Sequence, residues 1–168
     1  MTKFFSYTVF LMSMLMLASC TRNDAQREFE KEAYSFPANF TETTNQGVVQ
    51  NLDEDDWRTS PLFQGLIEIV PPYPNPVLTS QNIQFEVNVT GINSVTGIQV
   101  WTELPNGRQQ IIYEDFETLQ PGLTTFQIDP ILLSWDSNNS PEGARGLNRV
   151  YIFNANQQMI SYGDIMVE

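Results

Sequence analysis

Apolar and polar residues alternate most regularly in "NIQFEVNVT", where Ile83, Phe85, Val87 and Val89 share one face and Gln84, Glu86 and Asn88 the other. A period of two is that of an extended strand with one side turned to a core. Similar segments recur between turn signals from Gly65 onward and predict seven strands, over residues 66–70, 83–89, 98–103, 109–114, 124–129, 149–154 and 159–167. Asn106-Gly107 supplies the positive φ angles of a tight hairpin turn between the third and fourth. That hairpin offers Ile98, Val100, Ile111 and Tyr113 to the core. The last two strands turn at residues 154–157 and offer Val150, Ile152, Ile160 and Tyr162, with Gly163 read as a bulge or bend.

Seven short strands of this kind predict an all-β domain, an immunoglobulin-like antiparallel β-sandwich over residues 65–168. Before it the pattern fades. Residues 24–36 offer one short helix with Phe29 and Ala33 on one side and no second apolar row. The stretch that follows is rich in Asn, Thr and Gln and bounded by Pro37 and Pro61. Residues 20–64 are therefore expected to form a flexible tether, whose span by linker scaling is roughly 35–40 Å. Trp57 interrupts it as an aromatic that either docks the linker onto the domain or contacts a partner.

At the other end, Lys3 precedes an apolar run to Leu17, then the small residues Ala18 and Ser19, the layout of a secretory signal over residues 1–19. The run is too short for a bilayer-spanning helix, which needs about 20 apolar residues. Leu17-Ala18-Ser19-Cys20 resembles a bacterial lipobox. The resemblance implies cleavage before Cys20 and lipidation of its thiol and amine, so that the chain is anchored in the membrane through lipidated Cys20. Each buried CH₂ contributes about 0.8 kcal/mol, and two chains suffice for stable anchoring.

Charge and composition narrow the role. Of 8 Lys and Arg against 20 Asp and Glu, only Lys3 precedes Cys20. So acidic a surface repels phosphate backbones, which argues against a nucleic-acid partner. There is no histidine, hence no imidazole base or ligand, and the single cysteine rules out an internal disulfide. A serine or threonine nucleophile would need a lysine base, yet past Cys20 only Lys31 remains. The acidic run Asp53–Asp56 and the loop "WDSNNSPEG" have a superficial cation-ligand look. Neither has the glycine-centred alternation of a calcium loop, so both read as solvated turns and no metal or cofactor is expected. Arg145 and Arg149 are read as pairing with neighbouring acids, with a carboxylate clamp as the sharper alternative.

"PPYPNPV" precedes the most regular strand, and its prolines make it a stiff crossing or edge entry. It resembles the "YPNP" opening of two bacterial immunoglobulin-like groups, the C-terminal sorting domains of type IX secretion cargo and the Ig-like domain of flagellar hook-capping proteins. The second likeness extends to Trp135-Asp136, then Gly143, Gly146 and "RVYIF". With the lipobox, this resembles a lipoprotein of Bacteroidota type. The chain ends "GDIMVE" without the basic residue usual near the close of the cargo signals, so the cargo reading is an alternative. The expected role is a non-enzymatic binding or assembly subunit in the outer membrane with an envelope protein as partner. The other alternative is a carbohydrate- or peptide-binding accessory module. In either case Trp57, Trp101 and Tyr151 are the candidate contact residues.

Overall fold

The structure, a computed structural model, describes residues 24–136 and 138–168. The signal segment and Cys20 lie outside them. Strands β1 (Glu42–Thr43) and β2 (Val49–Asn51) form a small hairpin. Strands β3 (Ile67–Tyr73), β4 (Ile83–Val89) and β7 (Gly122–Ile128) form a three-stranded antiparallel sheet in the order β3-β4-β7. Strands β5 (Val95–Glu103), β6 (Gln109–Leu119), β8 (Gly146–Phe153) and β9 (Met159–Val167) form a four-stranded antiparallel sheet ordered β6-β5-β8-β9. The fold is all-β and sandwich-like, and all seven strands expected from the alternation are present. Helix α1 covers residues 24–33, and a single turn, α2, spans Pro141–Ala144.

The core lies between the two larger sheets. Ile83, Phe85, Val87 and Val89 point inward from β4, and Val100, Val150, Ile152 and Ile165 meet them from the other sheet. Phe126 stacks between Phe85 and Tyr113, with ring centroids 5.2 and 4.1 Å away. Full burial of side chains of this size stabilises by about 1.5–3 kcal/mol each, which is why the period of two is so legible here. Five strands run further than the alternation suggests: β3 reaches Tyr73, β5 starts at Val95, β6 continues to Leu119, β7 starts at Gly122 and β8 at Gly146. Gly97 explains the extension of the β5–β6 pair. It sits at a register shift with φ of 58°, and a Cβ there would come within 2.8 Å of the Asp115 carbonyl oxygen, so only glycine lets the two strands stay paired across the irregularity.

The expected tether is folded onto the sandwich over its described part, residues 24–64. Helix α1 lays Phe29 and Ala33 on the outer face of the four-stranded sheet, where they join Tyr151, Met159 and Tyr162 in a second apolar cluster. Its third buried position is Gln26, three residues before Phe29 on the same face, whose side chain bonds Met159 O and Leu62 N, so the single buried row is completed by a polar residue. Further along, Trp57 enters the main core and meets Phe85 edge-on at 6.0 Å. Gly163 is not a bend: it pairs regularly with Val150. Its role is to make room, because a Cβ there would lie 2.3 Å from the Trp57 ring.

Residues 56–60 of this wrap and the "YPNPV" crossing together close the outer edge of β9. Trp57 and Ser60 donate backbone N–H bonds to Tyr162 O and Ile160 O, and Val77 donates to Met166 O. Asp56 Oδ1 accepts the Asp164 N–H at 2.9 Å. Asn75, fully buried at the centre of "YPNP", donates to Asp164 O and Thr41 O and accepts from Met166 N, each at 2.9 Å. An edge left with bare N–H and C=O groups invites pairing with other chains, and here it is filled by backbone and short polar side chains.

Candidate functional site

The outer face of the four-stranded sheet alternates with the core face. Trp101 and Glu103 of β5, Arg149, Tyr151 and Phe153 of β8, and Tyr162 and Asp164 of β9 all lie on it, partly beneath α1. Arg149 makes a bidentate pair with Asp164, at 2.5 and 2.8 Å, and both are almost wholly buried. Its remaining donor reaches Ala33 O at 2.8 Å, placing a cation on the last carbonyls of α1, where the helix dipole favours it. Burial opposes the charge on Arg149, but the Asp164 carboxylate outweighs it and raises the pKa. Tyr162 lies between two guanidinium groups, Arg149 at 5.1 Å and Arg58 at 5.9 Å from the ring centroid. Arg58 also bonds Tyr162 Oη and Glu32, both at 2.8 Å. Helix, loop and sheet are thus clasped by two arginines.

Beside this clasp sits Asp56. Its carboxylate accepts the N–H groups of Thr41 at 2.7 Å and Asp164 at 2.9 Å. Burial pushes its pKa up to about 7, the two backbone bonds opposing and the nearby Asp164 and Asp53 carboxylates adding to the rise. Arg149 is the cation facing this group. A carboxyl whose pKa is raised on folding stabilises the fold fully below its unfolded value and loses that contribution as pH rises through the folded one. The stability advantage of the native chain over Asp56→Asn should therefore shrink between about pH 4 and pH 7. Urea midpoints of both proteins at about pH 4.5, 6 and 8 measure this, and a pH-independent difference would refute it.

Next to α1 opens a groove of about 320 Å³. One wall is the segment after the helix, Tyr34–Pro37, the second the start of the β5–β6 turn at Glu103–Pro105, and the third Trp135, Gly143 and Arg145. Large aromatic surface is left open there: Phe36 is 96% exposed, Trp135 60% and Tyr34 50%. The floor includes Tyr151, whose hydroxyl donates to Glu103 at 2.8 Å and whose pKa is driven far up by burial and that carboxylate. Tyr34 packs on Tyr151 at 5.2 Å and also lines a smaller neighbouring pocket of about 190 Å³ with Trp101 and Phe153.

The expected contact residues are distributed differently from the sequence reading. Cys20 lies outside the described residues. Trp57, at 4% exposure, is a core residue and presents nothing to a partner, because its ring fills the space above Gly163. Tyr151, at 1%, is covered by Tyr34 and the α1 segment and contributes only to the groove floor. Trp101 is half-buried against Phe153, edge-on at 5.7 Å, and its Nε1 has no hydrogen-bond partner among the described residues. The exposed aromatics Phe36 and Trp135 are the ones sequence reasoning passed over as contacts. Their signal was position, each ring standing immediately before a turn-forming run, "PAN" or "DSNNSP", with no strand following to bury it.

In the "WDSNNSPEG" loop, Asp136 accepts N–H bonds from Asn138 and Ser140, and the Ser140 hydroxyl donates to it as well. These bonds lower the Asp136 pKa. The carboxylate is thus an internal cap of the loop that carries Trp135. Among the described residues no group of three acidic or cysteine side chains is placed to hold a metal, and no helix is long and apolar enough to cross a membrane. Comparison with protein-family models, curated proteins and solved structures gave no match.

Proposed function

We propose that the chain is a lipid-anchored outer-membrane lipoprotein, a non-enzymatic module that binds or assembles with another envelope protein. The anchoring half of this reading is supported by the lipobox-like Leu17-Ala18-Ser19-Cys20 behind a short apolar run. The binding half is carried by one observation, the groove with Phe36, Trp135 and Tyr34 exposed on its walls. Contiguous exposed aromatics rimmed by polar residues are the usual mark of an interaction site. The buried acids Asp56 and Asp164 serve a different purpose, being committed to backbone N–H groups and to Arg149. The half-exposed Trp101 and Tyr34 on the same face lend support to a second reading, a carbohydrate-binding module, since sugar faces stack on such rings.

Two measurements test the proposal. Cys20→Ala should move the protein from the membrane fraction to the soluble one, and retention with intact lipid labelling would overturn the anchor. A photo-crosslinking amino acid at position 36 should give a discrete envelope-protein adduct in intact cells. The same group at the equally exposed Ile92, in the β4–β5 turn, should not. Equal labelling at both sites would remove the groove from consideration.

A further inference from the structure

Four strand edges bound the two larger sheets, and three of them are guarded. The wrap and the crossing fill the edge of β9. In β3, Pro71 and Pro72 offer no N–H, and Thr43 Oγ1 donates to the Pro72 carbonyl at 2.8 Å. β6 is broken by two register shifts and carries Glu114, Asp115 and Glu117. Prolines, bulges and charges are the devices that keep an edge from pairing with another chain. β7 has none of them. Gly122–Ile128 contains no proline and no charge and pairs with β4 residue for residue without a shift, and among the described residues its other side makes no backbone bond.

The acidic edge of β6 lies over this open one in the opposite sheet, where Tyr113 stacks on Phe126 of β7 at 4.1 Å. Tyr113 and Asp115 stand opposite the inward-facing Val100 and Ile98, so both take the side of β6 that faces β7. Burial and then the Asp115 carboxylate raise the Tyr113 pKa, which agrees with their closeness. Asp115 accepts the Glu117 N–H, a neutral donor, and none of the three acids has an ion pair among the described residues. The cation nearest to Asp115 in sequence, Arg108, is seven residues back, about 23 Å at strand rise.

We propose that the β7 edge is a second docking surface, separate from the groove, which takes up an extended segment of another protein as an added strand. The inward face of that segment places a large apolar side chain against the Tyr113–Phe126 stack and a lysine or arginine on Asp115. Side chains on one face of a strand recur every two residues, about 6.6 Å, the same step that separates Tyr113 from Asp115. Main-chain bonds to β7 supply affinity and these alternate side chains the specificity. Charge chooses the occupant. In a chain of net charge −12 the acids beside the open edge attract a basic segment, whereas a second copy would bring another uncharged β7 and set one β6 acid cluster toward the other.

The probes are peptides of about nine residues, enough to run past both ends of β7, with threonine at outward positions and leucine, isoleucine, lysine, arginine or glutamate at inward ones. Against the purified full chain, peptides with a basic residue two positions from an apolar one should bind with a Kd below about 1 mM, and glutamate in place of the basic residue should abolish this. N-methylation of every second amide should block binding in one of the two frames and spare it in the other, because only one set of N–H groups faces β7. Bound peptide should slow amide exchange at alternate positions of residues 123–127 and leave β6 and β9 unchanged. Asp115→Asn keeps the oxygen that accepts the Glu117 N–H, so its melting temperature should stay within a few degrees of native, while its preference for basic over norleucine-substituted peptides falls at least about threefold. Absence of binding, equal effects of the two methylation frames, an Asp115→Asn variant with the native preference, or protection at a strand other than β7 would each overturn the proposal. So would a dimer of the chain alone that protects the same β7 amides, since the occupant would then be a second copy. Crosslinking at position 36 reports on the groove and is read separately.

Discussion

Replacing Trp57 by alanine should lower stability by about 3–5 kcal/mol, the range for removing a large aromatic from a close-packed core. Few domains hold more than about 5–15 kcal/mol in total, so this variant stands near the edge of folding at body temperature. The contact with Gly163 makes the effect specific. That glycine has no room for a Cβ because the indole lies where it would go, so Gly163→Ala should also destabilise strongly. Once the indole is gone, however, a methyl group at position 163 points into the vacated space. The double variant should therefore be more stable than the sum of the two single losses by about 1 kcal/mol or more, the coupling expected of touching residues. Urea unfolding of the four proteins measures it, and strict additivity would show that the ring does not rest on residue 163.

A second large effect is expected at the arginine clasp. Arg149→Ala leaves Asp164 buried without its cation and the α1 carboxyl-end carbonyl without its donor, and breaking such a buried pair costs about 3–5 kcal/mol. Removing both partners, as in Arg149→Leu with Asp164→Leu, should recover more than half of that loss, since the cost lies in the orphaned charge. The two lesions are separable by position. In Arg149→Ala, amide exchange should accelerate over residues 24–33 before it does in β4 or β8, because α1 is held by this side chain whereas the sandwich core is not. Uniform acceleration throughout the chain would mean that α1 and the sandwich open together.

The strands were legible because their burial is carried by apolar side chains at a fixed spacing. Ile83 to Val89 spell out the inner face of β4 letter by letter. The wrap of residues 24–64 was less so, because its attachments use another alphabet: Gln26 and Asp56 bond backbone groups of β9, Thr41 is held in turn by Asp56 and by Asn75 of the following crossing, and polar residues of that kind read as linker. Trp57 follows four consecutive acids, and of the two roles read for it, docking the linker or meeting a partner, the structure has the first: the last acid, Asp56, turns inward to satisfy β9 and brings the indole with it. The groove was illegible for a different reason. Its walls come from residues 34–37, 103–105 and 135–145, and only the fold brings these three segments together.

The folded wrap changes the mechanics of any anchor at Cys20. Cys20 stands four positions before the helical Asp24, a contour of at most about 14 Å, so a lipid there would hold the sandwich against the bilayer surface on a short leash rather than on a long coil. Tension between membrane and partner would enter the domain at the start of α1. That helix is fastened by Arg58 and Arg149, and the chain runs from it directly into the groove wall at Tyr34–Pro37. A pull strong enough to peel α1 from the sheet would take down one wall of the groove with it, making the clasp a mechanical fuse between the anchor and whatever the groove holds.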